Sequence, residues 1–274
     1  VRGTRRQVTT RIISGVVMIA LTVAAVWLAP TWLFLAVAVV LVGLGCHEFA
    51  GLATASGLRI PTVVSTIAAV LAAAAVARPV GQGTTSIPLD VILLSALVVC
   101  GVLTLSSWDG GEKAVASASA ALLPCLYIGL PVGALAAIRD SHGPQALFLL
   151  MLTVITSDSA QYFTGRAFGK RKLAERVSPK KTVEGAYGGF LFGTVLFVWL
   201  GAYWLPSVSL WMRVLLGVTM VALGIVGDLF ESMLKRSAGV KDSSSLIPGH
   251  GGVLDRIDAL LFTAPVYYIV LTHV

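Results

Sequence analysis

"RIISGVVMIALTVAAVWLAPTWLFLAVAVVLVGLGC", Arg11 to Cys46, holds one charged residue, at its first position, and a single proline, Pro30, midway. A run of roughly 17 to 25 apolar residues is long enough to cross the hydrocarbon of a bilayer as a helix. A secretory signal would be followed by polar, cleavable sequence, whereas here a second apolar run begins directly after Pro30, so both are read as spans. The rest of the chain repeats the pattern. Of 274 residues, 57% are hydrophobic and 12% charged, with mean hydropathy +0.89, a composition that cannot cover a water-soluble surface with polar groups. The expected fold is an all-α polytopic integral membrane protein of about nine transmembrane helices: 12–29, 31–46, 60–77, 87–105, 114–138, 145–163, 186–205, 211–230 and 257–271. Pro124 and Pro131 predict a kink or division in the fifth.

Orientation follows from the basic residues, which remain on the cytoplasmic side of short loops. With the N-terminus cytoplasmic, all 20 Lys and Arg residues except Arg78, Arg139 and Arg213 fall on that side, beginning with Arg2, Arg5, Arg6 and Arg11. Topology alone would produce such a bias, and so would a face that meets anionic headgroups or nucleotide phosphates. Cys46, Cys100 and Cys125 lack metal-ligand or paired spacing and are read as small buried hydrophobes. No internal repeat or interdomain linker is evident. We read one membrane domain over 1–274, with 1–143 an apolar scaffold and 144–274 the chemically active half. In the first part His47, Glu48 and Asp90 lie at span ends and are read as solvated.

Three polar clusters lie in the second half. Asp158 sits five residues inside a predicted span end, about 8 Å by helical rise, where a carboxylate is costly and marks either a function or an ion pair with the following basic loop. That loop ends in Ser178, Lys180 and Lys181. In "GDLFESMLKR", Asp228, Glu231, Ser232 and Lys235 recur at i, i+3, i+4 and i+7 and share one helix face. In the polar stretch that follows, Lys235, Arg236 and Lys241 supply cations. Gly249, Gly251 and Gly252 let backbone approach a ligand, and Asp255 and Asp258 open the last helix. Acids there can simply cap the helix; with Asp228 they also supply the hard oxygens that hold Mg²⁺. Gly185, Gly189 and Gly193 form a small-residue face for close helix packing, within the chain or in a dimer.

The stretch Ser232 to Asp258, "SMLKRSAGVKDSSSLIPGHGGVLDRID", resembles the signature of phosphatidate cytidylyltransferases, S-x-x-K-R-x4-K-D-x6-P-x-H-G-G-x-x-D-R-x-D, at every fixed position. "SPKKTVEG" is similar to the family's S-P-x-K-T-x-E-G. At "SDSAQYFTGR" the chain departs from the family's D-T-G-A-Y in Ser159, Ala160 and Gln161, retaining Asp158 and Tyr162. The resemblance implies transfer of CMP from CTP to phosphatidic acid with Mg²⁺ and room for a second cation. It also implies a bilayer-embedded homodimer in a bacterial inner membrane, a site open to the cytoplasm, and no nucleic-acid partner. Carried over by motif, Asp228 and Asp255 are the metal ligands and, with Lys241, Asp258 and Asp158, the catalytic set. Ser178, Lys180, Lys181, Glu231, Ser232, Lys235, Arg236, Asp242, His250, Gly251, Gly252 and Arg256 bind substrate. The rival readings are a carrier for an anionic solute and a transferase acting on polyprenyl phosphate.

Overall fold

The computed structural model describes residues 13–77, 87–247 and 249–274, together with the backbone of 2–12. The predicted cations Arg2, Arg5, Arg6, Arg11 and Arg78 therefore lie outside the fully described residues. The described residues are mostly helical: α1 (Arg2–Trp27), α2 (Thr31–Ala55), α3 (Thr62–Ala77), α4 (Leu89–Ser106), α5 (Ala114–Pro124), α6 (Leu130–Phe168), α7 (Val183–Trp204), α8 (Leu210–Ser237) and α9 (Leu254–His273). Each predicted span overlaps a helix. Five helical stretches among the described residues are long and apolar enough to cross a bilayer: Thr31–Ala55, Leu89–Ser106, Ala114–Phe168, Val183–Trp204 and Leu210–Ser237. Ile13–Trp27 and Thr62–Ala77 are shorter apolar helices. Large apolar side chains such as Leu28, Val63, Leu97, Val115 and Trp199 stand exposed, which suits a lipid-facing surface and not a wet one.

The all-α expectation needs one correction. The basic loop after α6 folds as an antiparallel hairpin of β1 (Lys172–Ala174) and β2 (Ser178–Thr182), pairing Lys172 with Thr182 and Ala174 with Ser178 across a register shift. Thr182 then caps α7, its hydroxyl accepting from Gly185 N. Glu184 accepts from the backbone N–H groups of Lys170 and Arg171 and pairs with the Arg171 guanidinium, so the base of the hairpin is pinned to the start of α7.

The chain divides into two compact units, 1–137 with 237–257, and 138–236 with 258–274. In the first, α3, α4 and the segment after α5 enclose Ala68, Ala72, Ile92, Ala96 and Cys125. Pro124 ends α5 as its sequence predicts, and a π-helical turn, Cys125–Gly129, leads into α6. A Cβ on Gly133 would stand 2.6 Å from the Ala73 carbonyl oxygen, so α3 and α6 approach backbone to backbone. All three cysteines are free and buried in this unit, as expected.

In the second unit α6 breaks at Gly143, whose φ of 84° no ordinary helical residue adopts, with Pro144 following. Ala186, Val221 and Ile225 of α7 and α8 form an apolar cluster with Leu173, Phe190 and Leu229 packed against it, and Phe197 meets Tyr267 edge to face. The glycine face of α7 packs inside the chain: a Cβ on Gly189 would meet Gln161 and Ser157 of α6, and one on Gly193 would meet Val221 and Ser157. Gly227 of α8 lies as close to α9, 2.6 Å from its Cβ position to the Asp258 carbonyl oxygen.

Candidate active site

Alternation along β2 sends Lys180 outward and Lys181 inward, where its ammonium pairs with Asp228 Oδ2 at 2.5 Å. Asp228 stands on α8, and its Oδ1 accepts from Ser232 Oγ one turn on, at 3.3 Å. Lys235, a further turn along, pairs with Glu231, which is fully buried. The i, i+3, i+4, i+7 reading of this helix is therefore realised as two intrahelical pairs. Asp158 of α6 lies within electrostatic reach of Lys181 and Asp228, and Asp258 of α9 within reach of Asp228, Asp158 and Lys235. Three carboxylates from three helices thus share a neighbourhood with two lysines. Gln161 Nε2, whose role the sequence left open, donates to Asp158 Oδ1 at 3.0 Å. Arg236 Nε donates to the Val177 carbonyl, tying the end of α8 to the hairpin, while Ser178 at the head of β2 is half-buried.

The remaining signature residues belong to the first unit. There Ile247 bridges to Gly251, and the His250 N–H donates to the Ile247 carbonyl. Asp255 Oδ2 accepts from Ser243 N, Ser243 Oγ and Gly252 N, at 2.9, 2.8 and 2.8 Å. Gly251 takes φ 81°, and a Cβ there would lie 2.6 Å from Asp255 Oδ2. A Cβ on Gly252 would collide with Ser243 Oγ and both carboxylate oxygens of Glu48, which accounts for the second glycine of the signature by space alone. The His250 ring is hydrogen-bonded through Nδ1 to Ser14 Oγ of α1 at 2.9 Å. Lys241, Asp242 and Arg256 are exposed.

Glu48 is the residue the sequence reading missed. His47 and Asp90 are exposed as expected, but Glu48 is 4% exposed and accepts four hydrogen bonds. Its Oε1 takes Ser244 Oγ and Val253 N at 2.7 and 2.9 Å; its Oε2 takes Ser243 Oγ and Leu254 N at 3.1 and 2.8 Å. Its partners lie some 200 positions downstream, and no local pattern announces them. The one available signal was an acid followed by Phe49 and Ala50 rather than by a polar turn.

The donor chemistry in the second unit, hard carboxylate oxygen on converging helices, fits a divalent cation that also takes water and substrate phosphate. Among the described residues no three His, Cys, Asp or Glu side chains form a ready-made metal cage.

The chain matches the family described as the cytidylyltransferase family over residues 9–274. It is 48% identical over 130 residues to a phosphatidate cytidylyltransferase of Haemophilus influenzae, covering 46% of this chain and 45% of that one. It is 40% identical over 154 residues to one of Bacillus subtilis, covering 54% and 56%. With one of Thermotoga maritima the identity is 38% over 192 residues, covering 67% and 68%. The chain thus spans between about half and two thirds of the length of these relatives. Because the family match runs through both units and includes every residue of the acid–lysine cluster and of the signature loop, the chain belongs to the cytidylyltransferase family, alongside the phosphatidate cytidylyltransferases.

Proposed function

We propose that this protein transfers CMP from CTP to phosphatidic acid, releasing pyrophosphate and leaving CDP-diacylglycerol in the membrane. The observation that carries this reading is the cluster of Asp158, Asp228 and Asp258 with Lys181 and Lys235, in a chain of the cytidylyltransferase family. A phosphate monoester has a second pKa of about 6, so the headgroup of phosphatidic acid is already largely dianionic near neutral pH and needs little help from a general base. One of its oxygens attacks the α-phosphorus of CTP, the bond from that phosphorus to the bridging oxygen of the β-phosphate breaks, and the electron pair leaves on pyrophosphate.

The difficulty is to bring two anions together in line. Lys181 and Lys235 supply fixed positive charge beside the acids, while Lys180 of the hairpin, Arg236 at the end of α8, Lys241 of the signature loop and Arg256 in the first turn of α9 supply more. By family motif Asp228 and Asp255 would be the ligands of Mg²⁺. Bound there, the ion would neutralise phosphate oxygens that lysines alone leave partly charged. Asp255 reaches that role from a carboxylate already fixed by Ser243 and Gly252, which orients it before any ligand arrives.

In this reading nine helices cross the bilayer with the N-terminus and the signature loop cytoplasmic, as the distribution of Lys and Arg supports. CTP then arrives from water while the acyl chains of the lipid stay in the membrane. In the same reading the protein sits in a bacterial inner membrane, with a second copy of the chain as its partner. Purified protein given CTP, Mg²⁺ and phosphatidic acid should release pyrophosphate and form a CDP-lipid in equal amounts. Failure to form either product, with the protein folded and monodisperse, refutes the reading.

A further inference from the structure

The geometry points to Glu48 as a positioning residue for the reaction: from α2 it clamps the signature loop and the first turn of α9, and so fixes Asp255 and the residues on the loop. The inference rests on the cytidylyl-transfer reading, which assigns that loop to substrate and metal.

A buried carboxylate persists only where hydrogen bonds replace its hydration. Glu48 is 4% exposed, and each of its oxygens takes one backbone N–H from the start of α9 and one serine hydroxyl from the loop. The opening N–H groups of a helix have no partner within it, and a negative charge there also meets the positive end of the helix dipole. Usually a residue just before the helix supplies such a cap. Here Val253 N and Leu254 N are capped by a side chain about 200 positions away in sequence, so the start of α9 is held to α2. Asp255 is the next residue along.

The two carboxylates are coupled through Ser243, whose hydroxyl is shared between Glu48 Oε2 and Asp255 Oδ2. The same Asp255 oxygen takes Gly252 N, one residue before the N–H groups that Glu48 holds. Loosening Glu48 therefore frees Ser243, Ser244 and the start of α9 together, and with them the setting of Asp255. Glu48 needs no contact with substrate to act.

Glutamine tests this sharply, because it keeps the shape and exchanges one acceptor oxygen for an NH₂ donor. Whichever way the amide turns, one backbone N–H, Val253 or Leu254, then faces another donor. The serine hydroxyls can rotate away; the backbone N–H cannot. The test uses the full chain in detergent or nanodiscs, with amide hydrogen exchange and steady-state kinetics on the same preparations. Glu48→Gln should speed exchange in peptides covering 243–254 by about tenfold or more, the effect of one unpaired buried N–H. Peptides from α4 should be unchanged. The value of kcat/KM for CTP should fall at least about tenfold, and Ser244→Ala, which spares both backbone bonds, should lose no more than about threefold. Should Glu48→Gln fail to fold, the double variant Ser243→Ala, Ser244→Ala takes its place, with faster loop exchange and lowered kcat/KM as the expected result.

Unchanged loop exchange, acceleration spread equally into α4, or a mobile loop with wild-type kcat/KM would each overturn the proposal. Exchange requires no turnover, so it decides the clamp by itself. A wild-type protein that makes no CDP-lipid would count against the transfer reading alone.

Discussion

Lys181 gives the most quantitative handle on the acid cluster. Its ammonium lies 2.5 Å from Asp228 Oδ2, with the two side chains 18% and 27% exposed, and Asp158 is also within its reach. At an effective dielectric of about 20, a pair at that distance attracts by about 6–7 kcal/mol before desolvation and screening are charged against it. Broken buried pairs cost about 3–5 kcal/mol, and exposed ones about 0–1 kcal/mol. A partly exposed pair falls between, so Lys181→Met should destabilise by about 2 kcal/mol. At about 2–4 °C per kcal/mol for a chain approaching this size, the apparent Tm should drop by about 4–8 °C.

Asp228→Asn should fall by a similar amount, since it leaves the lysine without its counter-charge. The double variant should be clearly less unstable than the two losses added, with a coupling of about 1–2 kcal/mol. Thermal unfolding in detergent, followed by the loss of helical circular dichroism, reads this. A Lys181→Met protein as stable as wild type, or strictly additive losses, would refute the idea that this lysine neutralises the acids.

Gly227→Ala should destabilise by about 1–3 kcal/mol, because the new methyl would sit 2.6 Å from the Asp258 carbonyl oxygen, a backbone atom that cannot swing aside. Gly101→Ala, with nothing within 4 Å, should be neutral or stabilising in the same thermal assay. For topology, a cysteine at the exposed Glu175 of the hairpin should react with an impermeant thiol reagent only from the cytoplasmic side, and one at Ser141 only from outside. Labelling of position 175 from outside would reverse the orientation.

What the sequence made legible follows the range over which each signal acts. Apolar runs report their own burial in lipid, so every predicted span overlaps a helix, and the spacing of Asp228, Glu231, Ser232 and Lys235 reports one helix face whose pairs then form. The ends of runs were less legible: α2 continues from Cys46 to Ala55, and α9 begins at Leu254, because polar residues at a helix end break the hydropathy without breaking the backbone. The hairpin was missed for a related reason, since Lys172–Ala174 and Ser178–Thr182 carry little of the β-branched alternation that marks a strand. Glu48 was illegible in principle. Its burial depends on donors some 200 residues away, and to any local pattern an acid at a span end looks solvated.

The central claim, that the nucleotide and not a bare phosphate is passed to the lipid, is tested most directly by following label from two forms of CTP. Protein in vesicles containing phosphatidic acid would be given CTP labelled at the α-phosphate and, in parallel, at the γ-phosphate, and the lipid and aqueous fractions counted. The account predicts that α-label enters the lipid fraction as CDP-diacylglycerol while γ-label leaves entirely as pyrophosphate. Label from the γ-phosphate in lipid, or α-label that stays in water while wild-type protein consumes CTP, would contradict it.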